Sequence, residues 1–321
     1  PVVAGVIMVL MAYVLHISYG FFLEARTKKQ LVQLFGHYIP AELVDEMAKH
    51  PGGYSMQAQA RELTIMFCDV QQFTRMAESM EPAQVQDLLN RLFNRIAAVM
   101  APNNGTIDKY IGDCVMAFWG APLPVENHAW LAVKTACEIT HMLADFNTEQ
   151  TGLNQPVIRM GIGINTGVVS VGDMGSSIRK SYTVLGDAVN LAARLEPLAR
   201  KYGCPVVAGP RTVECTQQVP WQWLDRIRVA GKAQAVDVYA PLDSVLSTQD
   251  LSDQQWQELD AWQQFRAAYQ RFDWDTSRKH LATAQALRPD KPLYAVYSQR
   301  LHAFMQSPPP PDWDGVIDIA K

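Results

Sequence analysis

The sequence lacks a basic surface, a Cys-x-x-Cys pair and histidines spaced as metal ligands. Its 28 Lys and Arg residues are matched by 32 Asp and Glu residues, so the net charge of −4 offers no basic surface for a nucleic acid. Its five cysteines include no Cys-x-x-Cys pair, and its seven histidines lack the spacing of metal ligands. We therefore expect no nucleic-acid partner, no metal ligand among the histidines, and reduced, buried cysteines in a cytosolic environment.

The glycine-rich residues 161–167 also lack a nucleotide-binding signature. They do not read G-x-G-x-x-G, and no Lys-Ser or Lys-Thr pair follows them, which excludes a Rossmann fold or a P-loop there. We interpret these glycines as residues that allow close strand packing and a turn.

Charge is absent from residues 2–23, and Arg26, Lys28 and Lys29 follow soon after. Such a run spans a bilayer as a helix at ~1.5 Å per residue, and basic residues beside it mark the cytoplasmic side. We predict a transmembrane helix over residues 1–23 that anchors the chain in the cell (inner) membrane, with everything after it in the cytoplasm. A signal peptide and a buried core helix are the alternatives. Because the chain starts inside the apolar run, we expect this helix to be the last span of a longer protein.

Residues 24–60 are predicted to form a helical linker. The helical pattern covers residues 27–49, with an apolar face formed by Leu31, Leu34, Phe35 and Tyr38. This face can pair with the same helix of a second chain and carry motion from the membrane, or it can pack on the next domain as a spacer.

Strand-like and helix-like segments alternate from Arg61 onward. The strand-like segments are residues 63–69, 106–111, 115–119, 157–164 and 181–185, and the helix-like segments are residues 82–100, 126–146 and 188–202. The order strand, helix, hairpin, helix, strand predicts an α+β fold, a ferredoxin-like α/β sandwich over residues 61–242.

Residues 243–321 differ in composition and predict a small helical hairpin with a proline-rich tail. The two helices are expected at residues 255–269 and 276–286, with most of the aromatic side chains on the first. The hairpin resembles a single tetratricopeptide unit, which cannot bury its own apolar face. We expect it to dock on the preceding domain, with a partner protein as the alternative.

Two aspartates at the ends of strand-like segments carry the clearest chemical signal. Asp69 closes an apolar run, and Asp113 lies in the turn between two further strand-like segments. A single Asp in such a place is more often a turn or cap residue. Mg²⁺, however, usually takes one or two protein carboxylates and leaves its other positions to phosphate and water. The pair therefore suggests the metal half of a phosphoryl-transfer site.

Three separated motifs around these acids resemble the catalytic domain of the class III nucleotide cyclases, the adenylate and guanylate cyclases. They are Phe-Cys-Asp-Val-Gln-Gln-Phe-Thr at residues 67–74, Lys-Tyr-Ile-Gly-Asp at residues 109–113, and Tyr-Thr-Val-Leu-Gly-Asp-Ala-Val-Asn-Leu-Ala-Ala-Arg-Leu-Glu at residues 182–196. The resemblance runs through about residues 60–240 and implies the same ferredoxin-like core, extended by further hairpins.

The resemblance implies that Asp69 and Asp113 hold two Mg²⁺ or Mn²⁺ ions per site, with the Val70 carbonyl as a further contact. One ion would lower the pKa of the ribose 3′-hydroxyl, and the other would hold the triphosphate. Gln72, Phe73 and Thr74 begin a predicted helix whose free backbone N–H groups can receive phosphate oxygens.

Lys109 and Thr183 match the pair that reads the purine in this family. An ammonium donates to adenine N1 and a hydroxyl can accept from the N6 amino group, whereas guanine presents the reverse pattern. Guanylate cyclases typically carry Glu and Cys at these positions, so the sequence favours ATP. Many animal adenylate cyclases have Asp in place of Thr183, which assigns this chain to the bacterial subclass.

Asn190 and Arg194 lie four residues apart, on one face of a predicted helix. The family uses such a pair to orient the ribose and to stabilise charge on the α-phosphate in the transition state. Lys232 matches the lysine that neutralises the terminal phosphates. Animal enzymes often carry an arginine near the position of Val168, and we expect Arg179 to substitute for it here.

The sequence thus predicts a membrane-tethered adenylate cyclase that converts ATP to 3′,5′-cyclic AMP and pyrophosphate. In this family the metal residues and the purine and transition-state residues come from opposite subunits, which implies a homodimer through the cyclase domain with two sites. A guanylate cyclase is the nearest alternative, and a catalytically silent dimerisation or nucleotide-sensing module is the next. A diguanylate cyclase would need a Gly-Gly-Asp/Glu-Glu-Phe hairpin, which residues 111–114 do not provide.

Overall fold

The computed structural model describes Met11, Tyr13 and residues 58–176, 178, 180–229, 234–310 and 312–319. The predicted linker helix, Arg179 and Lys232 lie outside the described residues, as does the predicted membrane helix apart from Met11 and Tyr13. Across the described ranges, no helix combines the length and the apolar character that a membrane span needs.

The chain divides into two compact units, and the larger comprises Ala58–Val171 and Thr183–Lys321. The described part of the second unit is Met11, Tyr13 and residues 172–176, 178 and 180–182.

The described residues form one nine-stranded sheet. Its strands are β1 (Gln59–Val70), β2 (Thr106–Ile111), β3 (Cys114–Trp119), β4 (Met160–Gly175), β5 (Lys180–Leu185), β6 (Val206–Ala208), β7 (Trp221–Val229), β8 (Ala235–Pro241) and β9 (Ile317–Ile319). The order is β2-β3-β1-β4-β6-β8-β7-β9, and β5 pairs with β4.

The described helices flank this sheet and continue after it. They are α1 (Phe73–Ala77), α2 (Pro82–Met100), α3 (His128–Gly152), α4 (Asp187–Leu195), α5 (Leu198–Tyr202), α6 (Pro210–Glu214), α7 (Asp253–Tyr269), α8 (Trp274–Leu287) and α9 (Pro292–Gln306), with short 3-10 turns at Ala101–Asn103, Leu242–Ser244 and Thr248–Asp250. The predicted mixed α+β core is therefore confirmed.

Helix α2 has the residue pattern of an amphipathic surface helix. It starts at Pro82 behind a capping box made by Glu81 and Gln84. Its buried side chains follow a spacing of four residues and are Leu88, Leu92, Ile96 and Met100. Together with α3 they cover one face of the sheet and form the first hydrophobic core.

The glycines of β4 allow helix α4 to approach the sheet closely. A Cβ on Gly163 would lie 2.4 Å from the carbonyl oxygen of Ala192, and a Cβ on Gly161 would lie 2.2 Å from Oε1 of Glu196. The predicted close packing is therefore confirmed. The predicted turn is wrong, because β4 continues through Gly167 to Gly175. The predicted helix over residues 188–202 is interrupted at Pro197, which separates α4 from α5.

The cysteines are free thiols with different exposures. Cys68 and Cys137 are buried, and burial raises the pKa of Cys137 to about 12. Cys215 is exposed, so the expectation of burial does not hold for every cysteine.

The C-terminal segment contains three helices, one more than the predicted pair. Their apolar side chains form a second hydrophobic core with α4, α5, β7 and β8. Trp262 Nε1 donates to the carbonyl oxygen of Trp223 at 2.6 Å, and Tyr297 Oη donates to that of Leu224 at 2.8 Å. The helices therefore dock on the preceding domain, as expected, and the tail adds β9 in parallel to β7.

A buried ion pair fixes the last helix to this domain. Arg300 donates to both carboxylate oxygens of Asp225, at 3.1 and 2.8 Å, and the two side chains are 10% and 0% exposed. Tyr202 donates to the same carboxylate at 2.6 Å.

Removing Arg300 should cost much more stability than removing a surface arginine. We expect Arg300→Ala to lower the free energy of unfolding by ~3–5 kcal/mol, because it leaves Asp225 charged and buried without its cation. The matched control is Arg95→Ala, whose partner Glu149 is half exposed, with an expected loss of at most ~1 kcal/mol. Urea unfolding of both variants checks this, and equal losses would contradict it.

Candidate active site

The strand pairing brings Asp69 and Asp113 together. Asp69 is the last residue but one of β1, and Asp113 lies in the tight turn between β2 and β3. Because β3 pairs with β1 in the register Cys68↔Val115, the turn comes to the end of β1. The two carboxyl groups lie close enough to interact, because Asp113 is among the causes that raise the pKa of Asp69. The first step of the sequence prediction, that these two acids share one place, therefore agrees with the structure.

The two acids repel each other when both are ionised. Burial and the Asp113 carboxylate raise the pKa of Asp69 to about 6, and a hydrogen bond from the backbone of Val70 partly opposes this rise. A divalent cation would remove the repulsion, and carboxylate oxygens are the ligands that Mg²⁺ and Mn²⁺ prefer. The donor set therefore fits a divalent cation. The role of the Val70 carbonyl stays a prediction.

Glu196 is a third acid at this site that sequence analysis missed. Burial, together with the charges of Asp69 and Asp113, raises its pKa to about 7. It follows α4 and lies against Gly161, the residue that pairs with Asp69 across the sheet. Within the described ranges, no three side chains of Asp, Glu, His or Cys converge as a metal-binding set. We therefore treat Glu196 as a neighbouring charge rather than as a ligand.

Metal-free protein should lose stability as the pH rises from about 4 to about 6. Asp69 binds its proton more tightly in the folded chain than in the unfolded chain, where its pKa is near 3.8. Stability therefore falls as the folded protein gives up that proton, and Glu196 continues the same trend toward about pH 7.

Melting curves in EDTA between pH 4 and pH 7 test this. Asp69→Asn should show a weaker fall with pH than the wild type, and Mn²⁺ added in place of EDTA at pH 7 should stabilise the wild type but not Asp69→Asn. The control is Asp145→Asn, an exposed acid on α3. Equal pH dependence in the wild type and Asp69→Asn would contradict the account.

The predicted helix at Gln72, Phe73 and Thr74 is present as α1, but it begins at Phe73, one residue later than predicted. Phe73 packs against the first hydrophobic core, whereas the side chain of Thr74 is exposed. The helix has five residues, and its N-cap residue Gln72 has a positive φ of 61°. Contact of these residues with phosphate stays a prediction.

Lys109 and Thr183 meet although 73 residues separate them in the sequence. Lys109 Nζ donates to Thr183 Oγ1 at 3.2 Å. Asp108, which sequence analysis missed, accepts a hydrogen bond from the same hydroxyl at 2.5 Å. The two residues predicted to read the purine thus form a hydrogen bond within one chain, and the Asp108 carboxylate binds the same hydroxyl.

Asn190 and Arg194 lie one turn apart on α4, and both are exposed. The buried face of this helix contains Leu191 and Leu195, so the polar pair faces away from the core. Val168, near the position where animal enzymes carry an arginine, is 66% exposed on β4. The roles of Lys232 and Arg179 stay predictions, since neither is among the described residues.

The family model of the adenylate and guanylate cyclase catalytic domain matches residues 56–240, more than half of the chain, and the chain therefore belongs to this family. The resemblance inferred from the three motifs is confirmed.

Individual relatives agree with this assignment. Adenylate cyclase 1 of Rhizobium meliloti (strain 1021) is 36% identical over 208 residues, which are 64% of this chain and 31% of that protein. The structure of the adenylyl cyclase CyaB from P. aeruginosa matches with a TM-score of 0.56 and 29% identity, over 61% of this chain and 100% of that chain. The guanylyl cyclase Cya2 matches with a TM-score of 0.55 and 31% identity, over 58% of this chain and 94% of that chain.

The chain thus spans about a third of the length of this curated relative. Both adenylyl and guanylyl cyclases are found among the similar structures, so the fold by itself does not select the purine.

Proposed function

We propose that this chain is an adenylate cyclase, which converts ATP to 3′,5′-cyclic AMP and pyrophosphate. The observation that carries the proposal is the paired carboxyl groups of Asp69 and Asp113, at the end of a strand in a domain of the cyclase family. In the reaction, the ribose 3′-oxygen forms a bond to the α-phosphorus, the bond to the β-phosphate oxygen breaks, and the 3′-hydroxyl proton is released.

Each group of residues has a separate task in this reaction. Asp69 and Asp113 would hold divalent cations, which lower the pKa of the 3′-hydroxyl and offset the charge of the triphosphate. Arg194 would donate to the α-phosphate as its charge increases, and Asn190 would orient the ribose. A guanidinium suits the first task because its planar fork of donors can bind two phosphate oxygens at once.

The choice of ATP rests on the hydrogen bond between Lys109 and Thr183. The ammonium of Lys109 donates to adenine N1, which has a free lone pair, whereas guanine carries a hydrogen on N1. Thr183 supplies an oxygen for the N6 amino group. A guanylate cyclase remains the second candidate, because the guanylyl cyclase Cya2 is about as similar to the chain as the adenylyl cyclase CyaB is.

The exposed positions of Asn190 and Arg194 support a site completed by a second chain. Each protomer of a homodimer would contribute its acids to one site and its α4 pair to the other.

We further propose that residues 1–23 tether the dimer to the cell (inner) membrane with the cyclase domain in the cytoplasm, since this stretch carries a single charge-free apolar run. Retention in the membrane pellet after alkaline carbonate extraction tests the tether.

Identifying the product tests the proposed activity. Purified protein is incubated with Mn²⁺ and either ATP or GTP, and the nucleotides are separated by chromatography. We expect 3′,5′-cyclic AMP from ATP as the main product. Preferential formation of cyclic GMP would favour the guanylate cyclase. No cyclic product from folded, dimeric protein would favour a silent nucleotide-sensing module.

A further inference from the structure

Asp108 stands behind the purine-reading pair and is shielded from solvent. Its side chain is 1% exposed, whereas that of Lys109 is 44% exposed. Its Oδ2 atom accepts the hydrogen bond from Thr183 Oγ1 at 2.5 Å, and its Oδ1 atom lies 3.5 Å from Lys109 Nζ. One hydroxyl therefore contacts the carboxylate on its buried side and the ammonium on its more exposed side.

A bulge in β2 makes this arrangement possible. Neighbouring side chains on a regular strand point to opposite faces, so Asp108 and Lys109 would not normally reach the same atom. The pairing of β2 with β3 shifts in register between Ile107 and Lys109. At such a bulge two successive residues occupy the place of one, which redirects their side chains. Both residues consequently contact Thr183 Oγ1.

The Thr183 hydroxyl donates its single hydrogen to Asp108. A hydroxyl has one donor hydrogen and two acceptor lone pairs. The hydrogen points to the buried carboxylate, and one lone pair accepts from Lys109, so what remains for a ligand is an acceptor. Adenine presents an amino group at C6, which donates, whereas guanine presents a carbonyl oxygen there, which accepts. At the C6 position, only adenine can therefore form a hydrogen bond with a hydroxyl held in this way.

We propose that Asp108 is a positioning residue that selects ATP over GTP by holding Thr183 as a hydrogen-bond acceptor. This inference rests on the proposed cyclase function and adds a determinant of its substrate choice. Asp108 itself does not touch the purine, because it is enclosed behind the hydroxyl that it orients. The nearby ammonium of Lys109 favours the ionised carboxylate, which can only accept.

The contacts of Asp108 only partly oppose the effect of its burial. Burial raises the pKa of this carboxyl group above its ordinary value, and the hydrogen bond from Thr183 and the charge of Lys109 offset part of this rise. Replacing Asp108 by asparagine removes the charge but keeps the shape, and it allows the Thr183 hydroxyl to turn its hydrogen toward the ligand.

The test compares kcat/KM for ATP and GTP in full-chain protein with Mn²⁺. We expect Asp108→Asn to lower the ATP-to-GTP ratio of kcat/KM by about tenfold or more. The Thr183 hydroxyl is then free to donate as well as to accept, so it no longer distinguishes adenine from guanine. Thr183→Ser keeps the hydroxyl and should retain most of the ratio. Asp145→Asn, which removes an exposed acid from α3, should leave the ratio unchanged.

A double-mutant cycle separates this role from a merely structural one. In Thr183→Val the hydroxyl is gone, so adding Asp108→Asn should cause no further change in the ratio. An equal change in both backgrounds would overturn the proposal, as would an unchanged ratio in Asp108→Asn protein with a wild-type melting temperature. If Asp108→Asn does not fold, Asp108→Ser is used in the same cycle, with the same expectation.

Binding measurements distinguish failure of this inference from failure of the proposed function. The ratio of ATP to GTP dissociation constants, measured by calorimetry with Ca²⁺, should change in the same way as the kinetic ratio. If ATP turnover is normal and Asp108→Asn leaves the ATP-to-GTP ratio unchanged, only the inference is overturned. Wild-type protein that binds ATP without turnover overturns the proposed activity, and the binding ratios then still test Asp108. Protein that binds neither nucleotide overturns both.

Discussion

Asp69→Ala protein should form cyclic nucleotide at least ~10³-fold more slowly than the wild type. The side chain is one of two carboxylates brought together by the pairing of β1 with β3, and its removal leaves Asp113 alone to hold cations that must offset a triphosphate. Asp113→Ala should have an effect of similar size, because both acids serve the same ions.

This first prediction is checked by initial rates with saturating Mn²⁺ and ATP. Asp145→Ala is the matched control, since it removes an exposed acid from α3 and should retain full activity. Asp69→Ala should not lower the melting temperature in EDTA, because the change relieves repulsion. A variant that keeps more than about a tenth of wild-type activity would show that Asp69 is not a metal-holding residue of the reaction.

Arg194→Ala should lower kcat by about 10²–10³-fold with a much smaller change in KM for ATP. Arg194 is exposed on α4, and its proposed contact forms as charge increases on the α-phosphate. Loss of an interaction that acts in the transition state reduces kcat rather than ground-state binding. Arg194→Lys should recover only part of the rate, because an ammonium lacks the planar pair of donors.

Steady-state kinetics with ATP measure this second effect. Arg95→Ala, which removes an exposed arginine on α2, serves as the control and should leave both constants unchanged. A large rise in KM with an unaltered kcat would instead assign Arg194 to simple substrate binding.

The sequence predicts the regular parts of this fold well. The bounds of α2, β2 and β3 agree closely with the periodic segments because their apolar side chains repeat at the spacing that burial requires. The sequence does not predict that β4 runs on to Gly175. Its glycines suggested a turn, whereas they provide the space that α4 needs against the sheet.

Features that depend on tertiary contacts were not predictable from local pattern. Helix α9 begins at Pro292 directly after a short loop. The prolines near this helix favour a loop in the local sequence, and its buried tyrosines become evident only in the folded chain. Asp108 was missed because a strand-edge acid is ordinary in sequence, and only the bulge aims it at Thr183. Glu196 was missed for a related reason, since its approach to Asp69 depends on how α4 packs over Gly161.

The most direct test of the account mixes two inactive variants. Asp69→Ala lacks a metal-holding acid, and Asn190→Ala lacks a residue proposed to act in the partner's site. If the sites are shared between protomers, a mixed dimer contains one intact site. Equal amounts with free exchange should therefore recover about a quarter of wild-type activity, since half of the dimers are mixed and each has one of two sites.

Mixing Asp69→Ala with Asp113→Ala is the control, because both changes affect the same half of the site and no activity should return. Exchange of subunits is verified by co-purification of differently tagged chains. We expect activity to return in the first mixture only. No recovery despite verified exchange would contradict a site built from two protomers.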